Sequence, residues 1–308
     1  MVEAKLLCDA HCHPTDHPEQ LDEIAKMNAC SLAIMATRMD DLDLVYETSQ
    51  KYPDKTIAAF GYHPWFSHLV YTTPDPPESA WDHYKEVLVP TPTPEFVELL
   101  PFPKSFDEHL KRIESYLKND PNSIVGECGL DKAFTLPIPG SNPRNLSQYH
   151  VSMDHQKEVF MKQLELATAY NRPVSIHGVH CPQTVYDCII NMENQPPSIC
   201  LHSFTGSPAF LQSWFTPGRK QKKPKTKVFV SGSVLINITA EEKAAKLASH
   251  VPLDRILIES DYHAAGRDMD NYLMESFMRF AKAYGLEFAE AEKQFYRNYR
   301  NFVSPNSI

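Results

Sequence analysis

The stretch SIVGECGLD, residues 123–131, is a short, nearly continuous apolar run that carries a glutamate, Glu127, at its end. An apolar strand without polar alternation belongs to a sheet covered on both faces. Seven other segments read the same way: KLLCDAHCH (5–13), SLAIMAT (31–37), TIAAFGYHP (56–64), PVSIHG (173–178), SICLHSFTG (198–206), KVFVSGS (227–233) and RILIESDYH (255–263). Helical patterns alternate with them. HPEQLDEIAKMNA has Pro18 near its start, where helix N-termini accept proline, and DDLDLVYETSQK follows the second run. SFDEHLKRIESYLKND places Phe106, Leu110, Ile113 and Leu117 on one helical face. DHQKEVFMKQLELATAY precedes the fifth strand, and TAEEKAAKLASH the eighth, with Thr239 and Glu242 at capping-box spacing. Two further helices, about 268–284 and 287–302, close the chain.

Eight strand–helix alternations in 308 residues predict an α/β fold, the (β/α)8 or TIM barrel, as one domain over 1–308. A doubly wound open sheet is the alternative, but it gives no reason for polar residues at the ends of five different strands. Two inserts interrupt the rhythm. Residues 65–104 carry eight prolines, and residues 132–151 contain LPIPGSNPRN. Both leave the C-terminal ends of strands, so both are expected on the catalytic face.

Composition is that of an ordinary globular chain, 42% hydrophobic and 22% charged. The net charge of −9 excludes a whole-surface positive field for duplex nucleic acid. The seven cysteines show no spacing of a zinc ribbon or a disulfide framework. Lys5 and Asp9 interrupt any leader-like opening, and no apolar run approaches the ~18 residues of a membrane span. A soluble protein of a reducing compartment is expected, cytoplasmic and in addition nuclear. RKQKKPKTK (219–227), six basic residues in nine, leads into the seventh strand and so belongs to the opposite face. It reads as a solvated loop, or as a contact for a protein partner or for nuclear import.

The chemistry collects at strand ends. His11 and His13 stand two apart in one strand and point to one side, with Asp9 expected on that side one step deeper. Glu127, His177, His202 and Asp261 end the fourth, fifth, sixth and eighth strands. Ionisable groups at the ends of apolar runs are costly to bury unless they are paired or hold a metal. Imidazoles with carboxylates suit zinc, manganese or iron, and a carboxylate can bridge two ions. His63 in GYHPW is either a histidine fixed by the turn at Pro64 or a group that touches substrate or supports a ligand. His180 and His263 read as non-ligands, and Cys12 and Cys128 as small buried hydrophobes turned away from the barrel centre. G-x-S-x-G, P-loop and G-x-G-x-x-G patterns are missing.

The ordered set DAHCH, GECGLD, PVSIH, HSFTGS, SGS and VPLDRILIESD, with the tail FYRNYRNF, resembles the TatD family of metal-dependent hydrolases. That family belongs to the amidohydrolase-like barrels. The resemblance spans nearly the whole chain. It implies a (β/α)8 barrel, two or three divalent metal ions (zinc, magnesium or manganese) and phosphodiester hydrolysis, commonly as a deoxyribonuclease or exonuclease acting on DNA ends. It also implies that His11, His13, Glu127 and Asp261 hold one ion, and that Glu127, His177 and His202 hold a second. Asp261 and Glu127 are then the catalytic carboxylates, Asp261 as general base, and His63 the substrate-binding group on a phosphate.

Some positions depart from the family pattern. Val179 stands where an arginine is usual, His263 where a proline is, Ser260 replaces a threonine, and Lys132 follows GLD. The 65–104 insert has six acidic residues against two lysines and repels a long polyanion if it covers the site. Two alternatives therefore stand beside the nuclease. One is a hydrolase of a small-molecule C–N or ester bond. The other is a weakly active metal-binding protein that serves a protein partner.

Overall fold

The computed structural model describes residues 5–304, so the first and last four residues of the expected domain lie outside it. Eight strands form one parallel sheet in chain order. They are β1 (Cys8–Cys12), β2 (Ser31–Met35), β3 (Thr56–Phe60), β4 (Ile124–Asp131), β5 (Val174–Val179), β6 (Ser198–Leu201), β7 (Lys227–Gly232) and β8 (Ile256–Ile258). Beyond β8 the chain returns to the first strand. Asp261 N–H donates to His11 O at 3.0 Å, and His13 N–H donates to Tyr262 O at 2.8 Å. These two bonds close the sheet into a (β/α)8 barrel and bring the residue after ESD beside H-x-H.

Alternation along the strands divides two cores. Cys8, Ala10, Ala33, Met35, Ala59, Ile124, Cys200, Phe229 and Leu257 fill the barrel interior. Cys12, Cys128 and Leu130 face the outer layer, against the helices. The C-terminal helix Phe288–Val303 plugs the interior from below with Tyr299, Phe302 and Val303. Asn298 fixes it by donating to Leu253 O at 2.7 Å and Ile256 O at 2.8 Å.

Three local readings change. The segment after β1 is two 3-10 helices, Pro14–Asp16 and Pro18–Lys26, and not an α-helix. Pro14 and Pro18 each remove a backbone donor, and His17 between them is non-helical at φ −123° and ψ 74°, so an α-helical ladder cannot run through. The Thr239–Glu242 capping box does not form. Helix Glu241–Ala248 has Ala240 at its N-cap, and Thr239 Oγ1 instead accepts from Lys243 Nζ at 2.9 Å. A helix that was not assigned from sequence, Pro182–Ile190, lies between β5 and β6.

The two inserts build one structure. Leu88 and Val89 of the first pair antiparallel with Val151 and His150 of the second. Tyr84, Val87, Phe96, Leu136 and Tyr149 from both form a separate small core. Val70 and Tyr71 pair with Lys104 and Ser105, which brings the ends of the first insert together.

Three buried histidines, two of the first insert and one of helix Met153–Ala169, lie where this unit meets the helix. His83 Nε2–H donates to His68 O, and His155 Nε2–H to Ser67 O, both at 2.8 Å. Burial holds all three rings below the usual imidazole range, His68 at about 3 and His83 at about 4. Their folded pKa values lie under the unfolded value of about 6.5. The unfolded chain therefore binds more protons between those limits, and the stability that the neutral rings contribute is lost as pH falls through that window. The expected outcome is a lower melting temperature at pH 5 than at pH 7.5, with part of that dependence lost in His83→Gln. An identical pH dependence in wild type and variant contradicts it.

Candidate metal centre at the C-terminal rim of the barrel

Glu127 is buried, 3% exposed, at the end of β4. Its Oε1 lies 2.8 Å from His202 Nε2, 2.8 Å from His177 Nδ1 and 3.3 Å from His63 Nε2. Its Oε2 lies 3.3 Å from His11 Nε2 and 3.4 Å from His13 Nε2. One carboxylate thus faces five imidazoles, two on one oxygen and three on the other. Asp261 Oδ1 stands on the Oε2 side, 3.5 Å from His13 Nε2 and 3.9 Å from His11 Nε2. The structure therefore brings together all seven residues singled out in the sequence. His263 is exposed beside His17, and His180 is exposed at the end of β5.

The strand backbone is shaped for this convergence. Pairing registers shift between Asp9 and Cys12 in β1, and between Val125 and Cys128 in β4. Each irregularity changes the inward–outward phase within the strand. In β1 it turns His11 inward although Ala10 before it already faces the interior. It also removes Asp9 from the ring, which strict alternation predicts to share the histidines' side. Asp9 Oδ1 instead accepts from His11 N–H at 3.1 Å and Ser260 N–H at 3.0 Å.

Two glycines clear the space beside Glu127. A Cβ on Gly61 would sit 2.6 Å from Glu127 O, and one on Gly129, where φ is +152°, would collide with His177 O. Two non-glycine residues also take left-handed backbone at the rim, Asp261 at φ 52° and Ser203 at φ 39°. Such positions persist where surrounding bonds over-determine them. Ser203 N–H donates to Glu259 Oε1 at 2.8 Å, and Asp261 N–H to the seam.

Three groups behind the ring are not among the residues singled out in the sequence. Ser175 Oγ lies 2.8 Å from His11 Nδ1. Asp131 Oδ2 lies 3.0 Å from His177 Nε2 and accepts from Trp65 Nε1–H at 2.7 Å. Glu259 Oε1 lies 3.6 Å from His202 Nδ1. A legible signal existed for the acids: Asp131 is four residues on from Glu127 in one strand, and Glu259 two before Asp261. Partners of this kind orient metal-binding imidazoles and fix their tautomers.

Electrostatics are governed by the crowding. Burial alone would raise the Glu127 carboxyl, but His63, His202 and His11 hold it well below the usual range. Burial would lower His13, yet its hydrogen bonds to Asp261 and Glu127 push it up to about 10. Asp261 is held at about 2 against its burial by His13, His202 and His11. His63 is pushed down to about 4 by burial and so is neutral. Its Nδ1 accepts from Trp65 N–H at 3.1 Å, which leaves the proton on Nε2, facing the ring.

Protein hydrogen bonds do not satisfy this set. His11 Nε2 and His13 Nε2 lie 3.2 Å apart and converge on the same carboxylate oxygen, Glu127 Oε2. Glu259 Oε2 and His202 Nδ1 are buried without a hydrogen-bond partner. Imidazole nitrogens and carboxylate oxygens that converge on common points are the donor set of a divalent cation. Among the described residues three such groups are present: His11–His13–Glu127, His63–Glu127–His177 and His11–His202–Glu259.

The model of the TatD related DNase family matches residues 8–304. The chain belongs to the TatD related DNase family. It is 31% identical over 336 residues to the Cut9-interacting protein scn1 of Schizosaccharomyces pombe, covering 96% of this chain and 98% of that one. An uncharacterized deoxyribonuclease of Saccharomyces cerevisiae is 30% identical over 320 residues, covering 96% and 99%. A solved TatD homologue from Escherichia coli superposes with a TM-score of 0.64 at 17% identity, over 97% of this chain and 98% of that one. A TatD family hydrolase from Entamoeba histolytica does so with 0.64 at 12%, over 99% and 100%. These likenesses show a TatD barrel hydrolase, a metal-dependent enzyme class.

Ser175→Ala is expected to leave the fold intact and to weaken divalent-metal affinity by about 10–100-fold, as loss of a ligand's supporting bond does, read by calorimetric titration. Gly129→Ala is expected to cost ~1–3 kcal/mol of stability through overpacking and to displace His177. Unchanged metal affinity in both variants contradicts this account of the ring.

Proposed function

We propose that the protein hydrolyses phosphodiester bonds in DNA at a centre of two divalent ions, zinc, magnesium or manganese. The observation that supports this reading best is the division of the imidazoles by Glu127. His11, His13 and Asp261 gather at Oε2, and His177, His202 and His63 at Oε1. In this reading His11, His13, Glu127 and Asp261 hold one ion, and Glu127, His177 and His202 the other. Divalent ions there supply Lewis acidity, which acidifies a water and offsets charge on the phosphate.

The chain's own groups do the rest. Asp261, whose side chain is slightly exposed to the cavity, takes the proton of the attacking water as general base. His63 donates its Nε2 proton to a phosphate oxygen. Glu259, through Ser203 and His202, and Asp131, through His177, keep the two imidazoles aimed. The water oxygen bonds to phosphorus, the P–O bond to the leaving oxygen breaks, and Asp261 returns the proton it took to that oxygen.

The electrostatic objection from the first insert weakens. A cavity of about 440 Å³ lies over the ring, and the first insert contributes Trp65 and Phe66 to its wall. None of Asp75, Glu78, Asp82, Glu86, Glu95 and Glu98 lines it. A cavity of this size suits strand ends better than the middle of a duplex.

A partner-binding role stands beside the enzymatic one, supported by the exposed basic stretch 219–225 and by the name of the Schizosaccharomyces pombe relative. All seven cysteines are free thiols, which suits the cytoplasm or nucleus. Among the described residues no helix is long and apolar enough to cross a membrane.

The test is cleavage of end-labelled single-stranded DNA by metal-reconstituted protein. Cleavage is expected, with a rate loss of about 10²–10⁴-fold in Asp261→Asn and complete loss on chelation. Two bound ions per chain without cleavage of any oligonucleotide contradicts the reading. Turnover of small esters or amides in its place would turn it toward the small-molecule alternative.

A further inference from the structure

The cavity has a second chemistry, aromatic and cationic, on the wall beside the metal ring. Trp65, 42% exposed, is the first residue of the first insert that lines the wall. Phe134 of the second insert stacks on its indole, with ring centroids 5.0 Å apart and planes 14° from parallel. Phe134 does not itself line the cavity, so it backs the indole from behind. The indole is fixed in its plane as well, since Nε1–H donates to Asp131 Oδ2 at 2.7 Å. A large aromatic ring that is rigid, backed on one face and open on the other is a stacking platform.

A single cation accompanies it. Among the described residues that line the cavity, Arg38 is the one arginine or lysine. Its guanidinium sits 5.7 Å over the Phe66 ring and donates from Nη1 to Thr37 Oγ1 at 3.4 Å. Its countercharge is Asp16, at 3.4 Å, with both side chains well exposed. Exposed pairs of this kind are weak, and a phosphate can displace the carboxylate by a bidentate contact. Val179 lines the same cavity as an apolar wall.

We infer that Trp65, backed by Phe134, and Arg38 form a subsite for one nucleotide, the base on the indole and a phosphate on the guanidinium. The inference deepens the phosphodiesterase reading and rests on it for the direction in which substrate lies. The cavity accommodates one such unit and not a run of strand, because its volume of about 440 Å³ is that of a small-ligand site. Stacking discriminates little between bases, so the subsite selects for the presence of a base at a strand terminus and not for its identity. Trp65 and Phe134 come from the two inserts, so the zipped insert unit carries this selectivity.

Calorimetric titration of the metal-loaded protein tests it without turnover. The probes are deoxyadenosine 5′-monophosphate, deoxyadenosine and deoxyribose 5-phosphate. Wild type is expected to bind the monophosphate most tightly. Trp65→Leu is expected to weaken the monophosphate about ten-fold, within the range of a lost base stack, and deoxyribose phosphate far less. Trp65→Phe retains the preference for the base, which separates stacking from the bond to Asp131. Arg38→Ala weakens both phosphate-bearing probes and spares deoxyadenosine. Equal affinity of wild type for the monophosphate and deoxyribose phosphate overturns the inference. So does a Trp65→Leu loss that is equal for both, or a Trp65→Phe variant that behaves as Trp65→Leu. Base-selective binding in a protein that cleaves no oligonucleotide leaves the subsite standing and counts against phosphodiester hydrolysis alone.

Discussion

A carboxylate surrounded by five imidazoles, Glu127 at the end of β4, is the constraint around which the barrel rim is organised. Buried ionisable groups in this number are tolerable only when each has a charge or hydrogen-bond partner. The protein meets that condition in layers. Ser175 and Asp131 pair with the outward nitrogens of His11 and His177, Glu259 stands as a countercharge 3.6 Å from that of His202, and the inward nitrogens converge on the carboxylate. What hydrogen bonding leaves unsatisfied at the centre has the chemistry of a divalent-metal site.

Barrel closure and site assembly are one event. The bonds that join β8 to β1 run through His11, His13, Asp261 and Tyr262. Three of the four residues belong to the ring. The strands on either side of Glu127 are equally committed, since Gly61 and Gly129 let the backbones of β3 and β5 approach to distances that a side chain forbids. The C-terminal helix seals the opposite end with Tyr299 and Phe302. Stability therefore concentrates below the ring, and specificity above it, in the inserts.

Much of this was readable from the chain. Ionisable residues at the ends of apolar strands are conspicuous, because burial makes them costly, and the strand order then fixes their common height. His11, His13, His63, Glu127, His177, His202 and Asp261 all carried that signal. Other features depend on contacts far apart in sequence. The phase change that removes Asp9 from the ring arises from a pairing irregularity, which no period-two pattern shows. The place of the acidic insert depended on Leu88 and Val89 meeting Val151 and His150, some sixty residues away. Glu259 and Asp131 stood in plain view but next to stronger candidates. Pro18 reads as a helix start from sequence, but together with Pro14 it gives only the tighter 3-10 geometry.

Anomalous diffraction from crystals grown with manganese shows whether Glu127 stands between two metal positions. Two peaks are expected, one among His11, His13 and Asp261 and one between His177 and His202, with the Glu127 carboxylate reaching both. No peak within the ring, or a peak whose ligands exclude Glu127, would contradict it.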